Sequence, residues 1–74
     1  SKNVSPTIKD MDYFYKNLYE KLNDSGFFYS DFMKKSIMEN IKVLFNRAEL
    51  SSQEIKTLNG IIKSLYEYNK QAWH

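Results

Sequence analysis

The sequence predicts an all-α fold, a small three-helix bundle, on three observations. Only 2 Gly and 1 Pro interrupt its 74 residues, so there are few places to break regular structure. Apolar residues recur three and four apart in three separate stretches, the spacing of one face of a helix. Each stretch is preceded by a side chain of the kind that caps a helix N-terminus. The 16% aromatic share supplies bulky side chains for a thin core.

After Ser1 to Pro6, which reads as a linker or expression scar, the first helix is expected from about Pro6 to Asn23. Ile8, Met11, Phe14, Tyr15, Leu18 and Leu22 form its apolar stripe. Ser5 is the expected N-cap, with Pro6 at the first helical position, where a missing N–H costs nothing. Ser25-Gly26 supplies the stop, because glycine closes a helix end in the left-handed conformation without a Cβ penalty. Phe27, Phe28 and Tyr29 form an aromatic connector.

Ser30 is the expected N-cap of the second helix, and Asp31 follows at the positive end of its dipole. Met33, Ile37, Ile41, Leu44 and Ala48 make its stripe, widened on one flank by Met38 and Phe45. Ser51-Ser52-Gln53-Glu54 is a capping box, in which Ser51 and Glu54 satisfy each other's backbone N–H groups. The third helix then carries Ile55, Leu58, Ile62, Leu65 and Tyr66 on one face, with Ile61 beside them, and is expected to continue towards Trp73.

A domain of this size hides only about 60% of the surface its unfolded chain exposes, too little for both a core and an enclosed active site. Without cysteine there is neither a disulfide framework nor a thiolate zinc site, and His74 is the only histidine. No phosphate-binding glycine loop, nucleophilic triad or pair of convergent carboxylates is present. Asp10 and Asp12 are two apart on a helix and diverge; Met11, Met33 and Met38 read as core filler. Apolar runs fall far short of the ~20 residues that span a bilayer, and no signal peptide is evident. A cytoplasmic setting without membrane contact is the expectation.

The surface pattern is more informative. At about 100° per residue Lys56, Lys63 and Lys70 align on the third helix, with Asn59 and Tyr66 beside them. Lys35, Lys42 and Asn46 form a similar stripe on the second helix, and Lys9, Tyr13 and Lys16 cluster on the first. Such stripes suit a phosphate backbone, with tyrosines stacking on or bonding to nucleotides. Solvated helix faces are the competing reading, with Lys63 and Glu67 as an ordinary intrahelical pair. Arg47 and Glu54 bracket the second turn, each favoured by a helix dipole and able to pair, and Arg47 is also placed to touch RNA. Gly60 sits mid-helix on the outer face, which suits close approach by another molecule or simple tolerance.

The run Val43-Leu44-Phe45-Asn46-Arg47-Ala48-Glu49-Leu50-Ser51-Ser52-Gln53-Glu54-Ile55-Lys56-Thr57-Leu58-Asn59-Gly60-Ile61 resembles the carboxy-terminal helical extension of SpoU-type RNA 2′-O-methyltransferases. These belong to the SPOUT superfamily, and the run resembles in particular the bacterial tRNA (cytidine/uridine-2′-O)-methyltransferase group. The matching positions are Leu44, Phe45, Arg47, Ala48, Leu50, Glu54, Leu58, Gly60 and Ile61, with Gly26-Phe27 after the opening helix. Where the family often has Arg before that glycine, this chain has Asn59.

The resemblance implies a larger parent enzyme. Its amino-terminal knotted domain would bind S-adenosylmethionine, transfer the methyl group and dimerise, while residues 7–74 form the accessory domain. The fragment alone would hold no cofactor and no catalytic residue. Its implied partners are tRNA or rRNA and the parent's catalytic domain. Lys35, Lys42, Lys56, Lys63 and Lys70, with Arg47 and Tyr66, are the candidate RNA contacts. Two rivals stay open: a protein-interaction module docking through Tyr13, Phe32 and Trp73, and a free-standing helical protein.

Overall fold

The computed structural model describes the backbone of residues 4–72 and the side chains of residues 4–70; Trp73 and His74 lie outside the described residues. Three helices follow in order, α1 (Ile8–Ser25), α2 (Asp31–Ala48) and α3 (Ser52–Ala72), and no strand occurs among the described residues. The expected all-α architecture is present.

The start of α1 differs from the expectation. Thr7, not Ser5, is the N-cap: its Oγ1 accepts from the Asp10 N–H at 3.0 Å, and the Asp10 carboxylate accepts from the Thr7 N–H at 3.1 Å. This reciprocal box satisfies two otherwise orphaned donors, an advantage Ser5 lacks because Ile8 stands three residues after it. Pro6 therefore precedes the helix. At the other end Gly26 takes φ 83°, and its N–H and that of Phe27 donate to the Asn23 and Leu22 carbonyls.

At the start of α2, Ser30 is extended and makes no side-chain cap bond; Asp31 instead pairs with Lys34 at 2.7 Å. α2 ends on Glu49 in the left-handed region, φ 51° and ψ 53°, where a Cβ is crowded. Glu49→Gly is expected to raise stability by about 0.5–1 kcal/mol, an increase of roughly 2–8 °C in the thermal midpoint. The capping box before α3 forms as expected: Ser51 N–H donates to Glu54 Oε1 at 2.8 Å, and Glu54 N–H to Ser51 Oγ at 3.2 Å. The Val4 carbonyl accepts from the Ser52 N–H at 2.7 Å, so the amino-terminal segment also caps α3.

Phe14, Tyr15, Met38 and Ile55 are the buried apolar side chains among the described residues. Phe14 is 0% exposed and meets Phe45 edge-on, with ring centres 5.1 Å apart. Met11, Leu18, Leu50, Leu58 and Ile62 close around this cluster. α1 and α3 pack closely, whereas α2 is held to α1 at a few points. Chief among these is the Tyr15 hydroxyl, which donates to Asn46 Oδ1 at 2.8 Å and approaches the Lys42 carbonyl at 3.2 Å. α2 engages the core through the flank, Met38 and Phe45, while Met33 and Leu44 from its stripe are exposed. The radius of gyration is 13.5 Å, against about 11 Å for a compact chain of this length.

Candidate nucleic-acid interface

The splayed packing leaves a groove of about 790 Å³ between α1 and α2. Lys35 and Lys42 enter it from α2, one on each side of the buried Met38 because residues three and four apart share a helix face. Lys34 joins them from α2 and Lys16 from α1, with Tyr15 and Tyr19 along the floor. The Lys42 ammonium stands 5.8 Å from the centre of the Tyr15 ring. Asp12, Asp31 and Glu39 also line the groove, so four ammonium groups face three carboxylates. The ion pair with Lys34 engages one of these carboxylates and holds the Asp31 pKa below its usual value, first through its hydrogen bond and then through its charge.

The α3 lysines do not share one depression. Lys56 lines a depression between α1 and α3 with Lys9, Tyr13 and Asn59, while Lys63 borders another on the outer face of α3 with Gly60, Ser64 and Glu67. No atom lies near enough to Gly60 to demand a glycine there. The cluster expected on the first helix divides, with Lys9 and Tyr13 in the Lys56 depression and Lys16 in the α1/α2 groove. Lys70 lies 5.3 Å from the Tyr66 ring centre and Lys21, from α1, lies 4.9 Å away. The Tyr66 hydroxyl donates to Asp24, tying the ends of α1 and α3 together. Asn59 accepts from Asn17 Nδ2 at 3.4 Å.

Arg47 is exposed in the last turn of α2. Among the described residues the one ion pair is Lys34–Asp31, so neither Arg47–Glu54 nor Lys63–Glu67 closes. The Glu54 carboxylate instead accepts from Ser51, as its capping role requires. Lys21 and Lys34 escaped the sequence reading. Lys34 carried a signal, the Lys-Lys pair with Lys35, but only the tertiary fold brings Lys21 to Tyr66.

Both pinning tyrosines titrate high. Burial pushes the Tyr15 phenol up; the hydrogen bond to Asp24 raises that of Tyr66 first, followed by burial and the Asp24 charge. In the unfolded chain both ionise near pH 10, so above that pH the folded state keeps protons that the unfolded state has lost. Their contribution is complete below about pH 10 and declines as pH rises through the folded values. Lys34, raised by its bond to Asp31, adds in the same direction. The urea midpoint is expected to fall between pH 9 and 11, with a smaller fall in Tyr15→Phe/Tyr66→Phe.

No group of three or more His, Cys, Asp or Glu side chains able to hold a metal occurs among the described residues. Nor is any helix among them long and apolar enough to cross a membrane. Compared with known proteins, residues 9–73 match the family model described as tRNA methyltransferase TrmJ, C-terminal domain. The tRNA (cytidine/uridine-2′-O-)-methyltransferase TrmJ of Photorhabdus laumondii is 38% identical over 70 residues, covering 89% of this chain and 27% of that protein. Its counterpart in Salmonella typhimurium is 34% identical over 65 residues, covering 88% of this chain and 26% of its own length. The chain thus spans about a quarter of the length of the curated relatives it matches. No solved structure matches it. With the helices, the Ser51–Glu54 box and the run from Leu44 to Ile61 in place, the chain belongs to the family of TrmJ C-terminal domains of tRNA methyltransferases.

Proposed function

We propose that this chain is the RNA-gripping accessory domain of a longer, S-adenosylmethionine-dependent tRNA 2′-O-methyltransferase of SpoU type. It would hold tRNA for a catalytic domain outside these residues, in the cytoplasm. The observation that carries this reading is the convergence of Lys16, Lys34, Lys35 and Lys42 on one open groove. Ammonium groups spaced along a groove neutralise successive phosphates and release their counterions, which gives affinity without base specificity. Lys21 and Lys70 at the Tyr66 end, and Lys56 with Lys9, extend the basic surface along α1 and α3.

The described residues do not fit the cofactor. Each depression is an open groove bordered by charged side chains, whereas S-adenosylmethionine needs an enclosed, largely apolar site. Methyl transfer belongs to the catalytic domain; the work of this domain is to bind and orient RNA. The proposal assigns residues 7–74 to it and residues 1–6 to a linker, of which Val4 docks on the start of α3. A role in protein docking is the second reading, favoured by Phe32 and Tyr13, which are exposed.

Salt dependence tests the reading. With four phosphate contacts, tRNA affinity of the chain should fall roughly 50–150-fold between 50 and 200 mM salt. Binding that ignores salt, or no binding at the lower concentration, overturns it.

A further inference from the structure

Two tyrosines fasten the helices through their hydroxyls, Tyr15 to Asn46 and Tyr66 to Asp24. Tyr19, one turn beyond Tyr15 on α1, does not. It lines the α1/α2 groove, half-buried, and its hydroxyl makes no hydrogen bond among the described residues. No buried side-chain oxygen among them lacks a partner, so this hydroxyl reaches water. The ring is nonetheless held. Phe28, which stands outside the groove, backs it with ring centres 5.7 Å apart, and Phe27 meets Phe28 near edge-on at 5.5 Å. The Phe27 N–H is in turn fixed on the Leu22 carbonyl. The aromatic connector between α1 and α2 thus buttresses one groove-lining ring from behind.

Cations stand beside that ring. Lys16 precedes Tyr19 by three residues on α1, so the two are neighbours on the groove wall. Lys34 approaches from α2. Its pKa is raised chiefly by the hydrogen bond to Asp31, but Tyr19 adds to the rise, which puts the ammonium within electrostatic reach of the phenol. The Lys34–Asp31 pair is open to water on the Asp31 side, and such an exposed pair is weak enough to be exchanged for a phosphate.

A supported aromatic ring between ammonium groups in an open groove matches one ligand chemistry, a nucleotide whose base is unpaired. The cations take the flanking phosphates, and the ring takes a base face that a continuous duplex keeps inside its own stack. We propose that Tyr19 stacks on one unpaired base of a single-stranded RNA segment while Lys16 and Lys34 hold the phosphates beside it. This rests on the reading of the α1/α2 groove as an RNA site and adds the kind of RNA it takes. Phe27 and Phe28 act through Tyr19, as its backing.

Fluorescence anisotropy on the 74-residue chain at low salt tests this, with three labelled probes: an oligouridylate of about ten nucleotides, an abasic ribose-phosphate strand of equal length, and an RNA duplex of equal length. The oligouridylate should bind at least about 5-fold more tightly than the abasic strand. Tyr19→Leu, which keeps bulk against Phe28 but has no aromatic face, should weaken oligouridylate binding about 5–100-fold and leave the abasic strand and the duplex nearly unchanged. Tyr19→Phe should stay within about 2-fold of the parent chain, with helical circular dichroism retained in both variants. Equal affinity for base-bearing and abasic strands overturns the stacking role, as does full oligouridylate binding by Tyr19→Leu; either result leaves the phosphate grip standing and frees the ring for protein docking. Binding of no probe, nor of tRNA, overturns the groove reading and this proposal with it.

Discussion

Phe14→Ala is expected to cost about 3–5 kcal/mol, the scale of emptying a fully buried phenylalanine site. A domain of 74 residues holds about 4–11 kcal/mol in all. This one belongs near the lower end, because its buried apolar side chains are few. The substitution should therefore leave a large fraction of the chain unfolded at 37 °C, read as lost ellipticity at 222 nm and a broad transition shifted to low temperature. The effect is concentrated at Phe14 because one ring links all three helices: it leads the cluster with Ile55 of α3 and stacks edge-on against Phe45 of α2. Phe14→Leu keeps most of the volume and should cost about 1.5 kcal/mol or less. Ile8→Ala, in the same apolar stripe but 83% exposed, should change little. Equal losses for Phe14→Ala and Ile8→Ala would mean that the core lies elsewhere.

The contrast between Phe14 and Ile8 shows what periodicity reveals. Spacing places both residues on the apolar side of α1, yet it says nothing about where a neighbouring helix crosses. On α2 the same limit shifts the contact sideways. The stripe through Met33, Ile37 and Leu44 is the more regular, but packing uses Met38 and Phe45, because the Tyr15 hydroxyl and the Phe14 ring engage that flank. Local chemistry was more legible. Ser51–Glu54 and Gly26 each act within a few residues of chain, so their bonds follow from sequence alone. The Thr7–Asp10 box was equally local, and was missed because aspartate can serve where glutamate or glutamine is the usual third residue.

The candidate interface was legible in the same uneven way. Lys35 and Lys42 are seven apart on one face of α2, and the fold keeps them in one groove. Lys56, Lys63 and Lys70 have the same spacing and are all exposed, yet they have different neighbours: Lys56 borders a depression with Lys9, Lys70 stands with Lys21 at Tyr66, and Lys63 borders another depression with Gly60. An alignment on one helix becomes a common site only if its members border one depression. That condition depends on contacts far apart in sequence.

Lys35→Glu/Lys42→Glu should accordingly weaken tRNA binding more than Lys56→Glu/Lys63→Glu, by about 10–100-fold at 100 mM salt. The first pair acts on one groove, where a balance of four ammonium groups to three carboxylates becomes two to five. The second pair is spread over two depressions and leaves both the α1/α2 groove and Lys70 untouched. The slope of log affinity against log salt should become shallower by about 1.5–2 for the groove pair, as two phosphate contacts are lost. All four lysines are exposed, so thermal midpoints should change little. Lys42 is the partial exception, because its ammonium stands over Tyr15; Lys42→Gln separates that contact from the charge reversal. If the α3 pair proves the more damaging, the RNA path follows α3 and the α1/α2 groove is only a consequence of splayed helices.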